Sequence, residues 1–247
     1  MIWMRRLSTS ELLSVWEKAA SERRSAWPIT LLAAVCSDQS PEDLARLSIG
    51  QRDSRLLELR ERMFGPELHL LSTCEDCDAR LELRVLVKTL RTVQRDQPAI
   101  PLSVKARGFH IEFRVPDSFD LDAAAELSDS VAARMLLLER CVMGATRGDA
   151  RVPVSELPAE VVDAIAAGMA EADPQADIQL TMACPSCGHR WQAIFDIASC
   201  FWRELDAWAI SILKQVHTLA RAYGWSERDI LLMGRVRRLA YLDLVSG

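Results

Sequence analysis

Residues 184–191 read Cys-Pro-Ser-Cys-Gly-His-Arg-Trp, and residues 74–77 read Cys-Glu-Asp-Cys. Each stretch places two cysteines three positions apart, a spacing that lets both thiolates of one turn reach the same metal ion. Gly188 follows the second pair at the position where such a turn needs a positive φ angle. Asp78 occupies that position in the first pair. We therefore expect two metal-binding turns, the second with the stronger signal.

The segments that flank each cysteine pair alternate apolar and polar residues, most clearly over 81–87, 178–182 and 191–195. A period of two residues is typical of half-buried strands, so each pair is expected on the turn of a β-hairpin. Two such hairpins that share one ion form a zinc ribbon, and a structural Zn²⁺ is the predicted cofactor. The predicted ligands are Cys74, Cys77, Cys184 and Cys187.

Two other uses of the paired cysteines remain open. A redox-active pair would need a thiol whose pKa is lowered at a helix N-terminus, and neither pair has that context. Unmetallated thiols in a degenerate site are the second alternative. The remaining Cys36, Cys141 and Cys200 each stand alone in apolar helical sequence, which predicts buried, inert thiols.

The amino-acid composition argues against several classes of protein. The chain has 247 residues, of which 49% are hydrophobic, enough for a large core and too apolar for a disordered chain. Its net charge of −5 disfavours bulk nucleic-acid binding. We expect no membrane span, because no long uncharged apolar run occurs. No apolar signal segment is evident at the beginning, so we expect a cytoplasmic protein with reduced cysteines.

The region 1–66 is predicted to be helical. Ser8 and Glu11 form the pattern of a capping box, Pro41 fits the first position of a second helix, and a third should run from about Gln51 to Phe64. The charged block 51–55 is interpreted as a solvated face with salt links rather than a binding surface.

The region 67–196 is predicted to hold the two zinc-ribbon-like hairpins with an α+β segment, about 100–176, inserted between them. Within the insertion we expect a strand at 109–115 and helices near 121–127, 130–143 and 158–171. Residues 144–153 contain two glycines and mixed charge, which predicts a mobile loop. The region 197–247 should contain a long helix and a short helical tail. The predicted fold class is thus α+β and predominantly helical.

The long helix, 197–223, carries more than one apolar face. A stripe with helical spacing runs from Ile197 through Trp208 to Tyr223, as expected for a core-facing surface. Apolar residues also lie off this stripe, and three arginines follow in the last helix. Together they form the predicted partner-binding set of Trp202, Ile210, Leu213, Arg235, Arg237 and Arg238. The alternative is that the inserted segment covers the second apolar face.

Catalytic chemistry has little support in the sequence. His69, His110 and His217 are isolated, and no phosphate loop or nucleophile motif occurs. Four cysteine ligands would leave zinc no open position for a substrate. We therefore predict a protein that is not an enzyme.

Three blocks of the sequence resemble a known family. They are 48–66 with the first cysteine pair, 184–197 leading into the long helix, and 222–242. These blocks are similar to those of baseplate proteins from contractile-tailed phages, of the T-even baseplate hub assembly type. Relatives occur in bacterial gene clusters for phage-tail-like contractile injection systems. The first cysteine turn departs from the family's usual Cys-Pro-x-Cys-Gly form.

The resemblance implies a structural or chaperone-like assembly component of a baseplate, with hub and spike proteins as partners. It also implies that the protein can be incorporated into the assembled particle, and an oligomer is compatible with that role. The alternative from the residues is a zinc-ribbon adaptor or regulator that binds nucleic acid or another protein. A thiol oxidoreductase is the third hypothesis.

Overall fold

The computed structural model describes residues 4–23, 25–92 and 101–246. Helices make up 56% of it, which confirms the prediction of a predominantly helical α+β fold. Within the described residues, no helix is both long enough and apolar enough to cross a membrane. The α-helices of this part of the chain are α1 (Thr9–Ser21), α2 (Trp27–Val35), α3 (Pro41–Ala45), α4 (Ile49–Phe64), α5 (Val87–Leu90), α6 (Ser118–Ala125), α7 (Ser130–Cys141), α8 (Ala159–Ala172), α9 (Ile197–Tyr223), α10 (Glu227–Leu232) and α11 (Arg235–Ser246).

The strands are β1 (Glu67–Thr73), β2 (Arg80–Leu86), β3 (Leu102–Ala106), β4 (Phe109–Phe113), β5 (Val142–Arg147), β6 (Ala150–Arg151), β7 (Gln179–Ala183) and β8 (Arg190–Ile194). In the described ranges they form three antiparallel sheets, with the orders β1-β2, β3-β4-β5-β6 and β7-β8. The two-stranded sheets are the hairpins predicted around the cysteine pairs.

By packing, the chain divides into two compact units. One contains Met1–Pro41 with Ala198–Gly247, and the other contains Glu42–Ile197. The sequence-based division into 1–66, 67–196 and 197–247 follows composition and stays a prediction. Its positions 1–3, 24, 93–100 and 247, including the start of the inserted segment near residue 100, lie outside the described residues.

Helix starts follow the capping signals in the sequence. The Glu11 N–H donates to the Ser8 hydroxyl at 3.2 Å, and the Ser8 N–H donates to the Glu11 carboxylate at 2.8 Å, which confirms the predicted capping box. The same reciprocal pair of bonds joins Ser48 and Gln51 at the start of α4. Helix α4 therefore begins a few residues earlier than expected.

Helix α9 spans the residues predicted for it and buries one face in its own unit. Ala209, Ile212 and Leu219 pack with Leu13 of α1 and Ile230 of α10. Trp208 of the expected stripe is half-buried and packs against the same core, next to the fully buried Ala209. The expected stripe is wrong at its end, because Tyr223 is 39% exposed and stacks on Trp225.

The second unit has its own core beneath the four-stranded sheet. Ile111 and Phe113 of β4 pack against Val161 and Ile165 of α8. Gly168 lets α8 approach closely, because a Cβ atom there would lie 2.9 Å from the Phe113 ring. The four-stranded sheet and α8 therefore share one apolar core.

Residues 144–153 are not a mobile loop, so that prediction is wrong. Strand β5 pairs with β6 through Thr146 opposite Arg151 and Arg147 opposite Ala150. Gly148 makes the tight turn with a φ of 59°. Glycine and charged residues are as typical of a two-residue hairpin turn as of a mobile loop. Amino-acid composition alone therefore does not distinguish a hairpin from a loop at this segment. Strand β3 was also not predicted.

A buried carboxylate ties this unit together. Asp120 is fully buried and accepts hydrogen bonds from both terminal nitrogens of Arg114, at 2.5 and 2.9 Å, and from Nε of Arg140 at 2.8 Å. Burial raises the pKa of Asp120, but the bonds from Arg114, the Asp117 backbone and Arg140 outweigh it and lower the pKa from 3.8 to about 2. The stabilisation from this group is therefore complete above pH 3.8 and lost as the pH falls towards about 2.

We predict that Asp120→Asn destabilises the folded protein at neutral pH by about 3 kcal/mol, because it leaves two guanidinium groups without their buried counter-ion. The difference in unfolding free energy between wild type and variant should shrink by about 2 kcal/mol between pH 4 and pH 2. Denaturant unfolding across this range measures both quantities. Asp163→Asn, which removes an exposed ion pair with Arg134, is the control and should cost below about 1 kcal/mol. A constant difference across the pH range would contradict the assignment.

Candidate metal centre

The first cysteine turn connects β1 to β2. The two strands pair in register up to Thr73 opposite Arg80. Beyond that pair, the Cys74 N–H donates to the Ala79 carbonyl at 2.9 Å, and the Asp78 N–H donates to the Cys74 carbonyl at 3.0 Å. These two bonds close the turn that carries Cys74 and Cys77.

The second turn has the same construction between β7 and β8. The Cys184 N–H donates to the His189 carbonyl at 2.8 Å, and the Gly188 N–H donates to the Cys184 carbonyl at 2.9 Å. The last strand pair is Ala183 opposite Arg190, equivalent in position to the last pair of the first hairpin. The two turns are therefore local repeats of one structure.

The residue after each cysteine pair adopts a left-handed backbone conformation. The φ angle is 80° at Gly188 and 56° at Asp78. Asp and Asn tolerate this region better than most side chains, although glycine has no steric cost there. The first turn thus keeps the left-handed conformation of the second, although Asp78 stands where such turns usually have glycine.

The four predicted thiols meet at one point. Their sulfur atoms lie within 4.8 Å of one another. The Sγ atoms of Cys74 and Cys187 are 3.6 Å apart, as are those of Cys77 and Cys184. A disulfide would require an S–S distance of about 2.05 Å. A tetrahedron of sulfurs around zinc, with Zn–S bonds of about 2.3 Å, has edges of about 3.8 Å. The arrangement therefore fits a tetrahedral metal and no disulfide.

Each turn contributes one buried and one exposed thiol. Cys74 and Cys184 are buried and pack with Leu81 and Met182, while Cys77 and Cys187 face solvent. The apolar side of the cluster restrains the hairpins, and the exposed side gives an ion a route to the sulfurs. His189, which follows the second turn, stacks on Trp191 at 5.5 Å between ring centroids.

Backbone amides point at the sulfurs and favour thiolates. The N–H of Cys187 is the largest influence on Cys184 and helps to lower its pKa to about 6. The His189 N–H also lowers the pKa of Cys187, but burial and the three neighbouring thiols raise it to about 12. Four sulfurs this close cannot all ionise alone, whereas a divalent cation makes four thiolates favourable.

The donor set limits the chemistry of the centre. Four sulfur ligands in tetrahedral geometry suit zinc or an iron–sulfur centre. Four protein ligands complete a zinc coordination shell and leave no position for a substrate. The arrangement therefore supports a structural site.

The isolated cysteines are buried, as predicted. Cys36, Cys141 and Cys200 are 5% exposed or less. Burial and the neighbouring Asp120 carboxylate raise the pKa of Cys141 to about 12, which keeps its thiol protonated and unreactive.

The predicted partner-binding residues on α9 differ in exposure. Trp202 is half-buried and lies 5.5 Å from Trp27 between ring centroids. Leu213 is also half-buried, while Ile210 is 40% exposed. Of these three side chains, Ile210 is thus the most accessible.

The three predicted arginines of α11 also differ. Arg235 and Arg237 are exposed, whereas Arg238 is 4% exposed. Its Nε donates to the side-chain oxygen of Gln215 at 2.8 Å, and its Nη1 is 3.5 Å from the Met233 carbonyl oxygen.

The charged block of α4 is partly buried, so its interpretation as a solvated face is wrong. Arg52 and Asp53 are below 10% exposed and form an ion pair at 2.8 Å. Burial raises the pKa of Asp53 to about 6 despite this pair, with Asp196 and Asp173 adding to the shift. The neighbouring Gly50 marks this covered segment in the structure, because its N–H donates to Asp173 at 2.8 Å and a Cβ atom there would clash with that carboxylate.

The fold and the site define a class of protein: a predominantly helical α+β scaffold in which two hairpins meet at a four-cysteine cluster like that of a zinc ribbon. The sequence profile of the family described as T4 bacteriophage base plate protein matches residues 9–202. This range is well over half of the chain, and the chain belongs to that family.

The match confirms the resemblance drawn from the sequence blocks and makes the chain a structural component of a phage baseplate. It includes both cysteine pairs, while the resembling block at 222–242 lies outside it. No curated protein and no solved structure matches the chain significantly.

We predict about one tetrahedral metal ion per chain, held jointly by the two turns. Elemental analysis and X-ray absorption of the purified protein measure its amount and its ligands. Cys184→Ser with Cys187→Ser should lose the ion and lower thermal stability. Cys36→Ser is the control and should retain the ion. Full retention of metal by the double variant would contradict a shared site.

We predict that Gly188→Ala weakens the centre through backbone strain alone. No atom lies within 4 Å of the added Cβ, but its φ of 80° costs an alanine about 1–2 kcal/mol. Denaturant unfolding of the metal-loaded protein measures this loss. Gly144→Ala, in the same unit and at ordinary contact distance from Glu112, should be nearly neutral. Equal effects of the two substitutions would show that the turn does not depend on the left-handed position.

Proposed function

We propose that this protein is a non-enzymatic structural or assembly component of the baseplate of a phage or contractile injection system, and that it binds hub and spike subunits. The family match over residues 9–202 carries the proposal. A baseplate component acts through contacts with other proteins, and a chaperone-like role in delivering hub or spike subunits is one form of that activity.

The proposed cofactor is a structural Zn²⁺ bound by Cys74, Cys77, Cys184 and Cys187. The distances between the four sulfur atoms and the similar construction of the two cysteine turns support a zinc site. Zinc has no redox chemistry of its own, and a closed set of four thiolates suits a stabilising role. This site therefore supports a protein that acts without catalysis.

The proposed partner surface consists of the outer side of α9, with Trp202, Ile210 and Leu213, and the arginines at 235, 237 and 238. Ile210 projects into solvent at 40% exposure, and an apolar residue in this position can enter a partner's pocket. We propose that the protein meets these partners in the cytoplasm during assembly and enters the particle with them. An oligomeric state is compatible with this role.

We predict that Ile210→Asp lowers the retention of hub or spike subunits in a pull-down and leaves the melting temperature nearly unchanged. A charge in the centre of an apolar interface should cost roughly tenfold or more in affinity. Val131→Asp, at 72% exposure on α7, is the matched control and should retain the partners.

Trp202→Ala with Leu213→Ala should lower both retention and melting temperature, because Trp202 also packs on Trp27. Undiminished retention by Ile210→Asp would move the interface away from α9. Failure of the wild type to retain any hub or spike subunit would contradict the proposed function.

A further inference from the structure

Arg238 is a buried cation that has no acidic partner in the described part of the chain. It is 4% exposed, and its hydrogen-bond acceptors are the neutral Gln215 side chain and the Met233 carbonyl. Gln215 in turn donates to the Ser211 hydroxyl at 3.4 Å, so the network ends in neutral groups. No carboxylate contacts this guanidinium among the described residues.

A second arginine makes the electrostatic imbalance larger. Burial and the nearby charge of Arg235 both lower the pKa of Arg238 from its ordinary value. Buried charges in folded proteins are normally paired, since the desolvation of an unpaired charge is strongly unfavourable. Asp120 shows the usual arrangement in this chain, with two guanidinium groups around one carboxylate.

The surroundings of Arg238 are both basic and apolar. Arg235 lies three positions before Arg238 and four before Leu239 on α11, and Val236 lies three positions before Leu239, the spacings at which helical side chains are neighbours. Val236 is 84% exposed and Leu239 is 39% exposed. Arg237 is exposed on the same helix. We call this set, Arg235, Val236, Arg237 and Leu239 with Arg238 at its base, the α11 surface.

We propose that the α11 surface binds an acidic, partly apolar segment of a partner protein, whose carboxylates lie against the exposed Arg235 and offset the charge of Arg238 beneath it, while its apolar side chains cover Val236 and Leu239. The identification of that partner as a hub or spike subunit rests on the proposed function. The chemistry of the segment rests on the charge and exposure of α11 alone.

The apolar part of the surface favours a protein over other anionic partners. Val236 and Leu239 interrupt the arginines, whereas a nucleic-acid backbone would place phosphates where these side chains project. A lipid surface would require a continuous apolar face, but Tyr241 and Leu242 pack into the core of their own unit.

The test begins with a defined probe. A labelled amphipathic helical peptide with leucines on one face and glutamates beside them is titrated with the metal-loaded full chain and followed by fluorescence anisotropy. We expect it to bind at least tenfold more tightly than a matched peptide with lysines in place of glutamates, with an advantage that falls at high salt. Equal binding of the two peptides overturns the proposal. So does a preference for phosphatidylserine vesicles or duplex DNA.

Variants locate the binding site. Val236→Asp, and Arg235→Ala with Arg237→Ala, should each weaken binding of the glutamate peptide by roughly tenfold or more, at an unchanged melting temperature. Arg203→Ala with Arg221→Ala removes two exposed arginines of α9 and is the matched control, expected to stay within about twofold. Loss of binding in the control alone would place the site elsewhere.

Arg238→Met separates a binding role from a structural one. A cation held for a partner is unfavourable in the free protein, so this variant should keep or raise the melting temperature and still weaken peptide binding by roughly tenfold. A lower melting temperature with unchanged binding would make Arg238 a structural residue and overturn the proposal.

The same variants in the hub and spike pull-down distinguish the two proposals. If the peptide results hold but the wild type retains neither subunit, the proposed function fails and the α11 surface stands. If Val236→Asp retains hub or spike as well as the wild type does and also binds the peptide normally, the proposed function stands and this inference fails.

Discussion

Four sulfur atoms set the constraint on which the unit Glu42–Ile197 depends. Cys77 and Cys184 are 107 residues apart in the chain, yet their sulfurs lie 3.6 Å apart. Closing a loop of that length costs about 4 kcal/mol of chain entropy, because the cost rises only with the logarithm of length. Structural zinc binding can contribute roughly 10 kcal/mol. A metal is therefore sufficient to join the hairpins, whose shared apolar cluster has just two buried side chains, Leu81 and Met182, besides the cysteines. The segment between the hairpins then folds with both of its ends at one place.

Local signals in the sequence were enough for the parts of the structure that depend on local chemistry. The spacing of the cysteine pairs, the capping box at Ser8 and the bounds of α9 each follow from residues close together in the chain, and each agrees with the structure. Strand β3 and the β5–β6 hairpin depend instead on pairing with β4, which composition does not encode. The end of the apolar stripe on α9 shows the same limit. Tyr223 fits the apolar spacing but is 39% exposed, because burial of that position depends on what packs against the helix.

The burial of charged residues was harder to predict than the helices and strands, because a sequence alone does not show which charged side chain the fold will remove from solvent. Arg52 and Asp53 lie in a segment rich in charge, typical of a solvated face, but the fold places both under cover. Asp173, which accepts a hydrogen bond from the Gly50 N–H near the start of α4, is 123 residues away from Gly50 in the chain. Gly50 is therefore informative only once the structure is known, because the carboxylate that a Cβ atom there would clash with belongs to a distant segment of the chain.

Whether a buried charged group has its counter-charges within the chain distinguishes a structural site from a surface that contacts a partner. Asp120 is surrounded by the two guanidinium groups that it needs, and the cysteine cluster supplies four ligands for one ion, so both sites are complete within the chain. A complete site holds the fold and has little left to offer a second molecule. Arg238 is different, because it is buried against neutral acceptors, beside another arginine and two exposed apolar side chains. In a marginally stable fold, an imbalance of this size is a substantial fraction of the total stability. A baseplate component works by contact, and for such a protein an unfavourable charge that a partner can neutralise lowers the stability of the free chain and raises that of the complex.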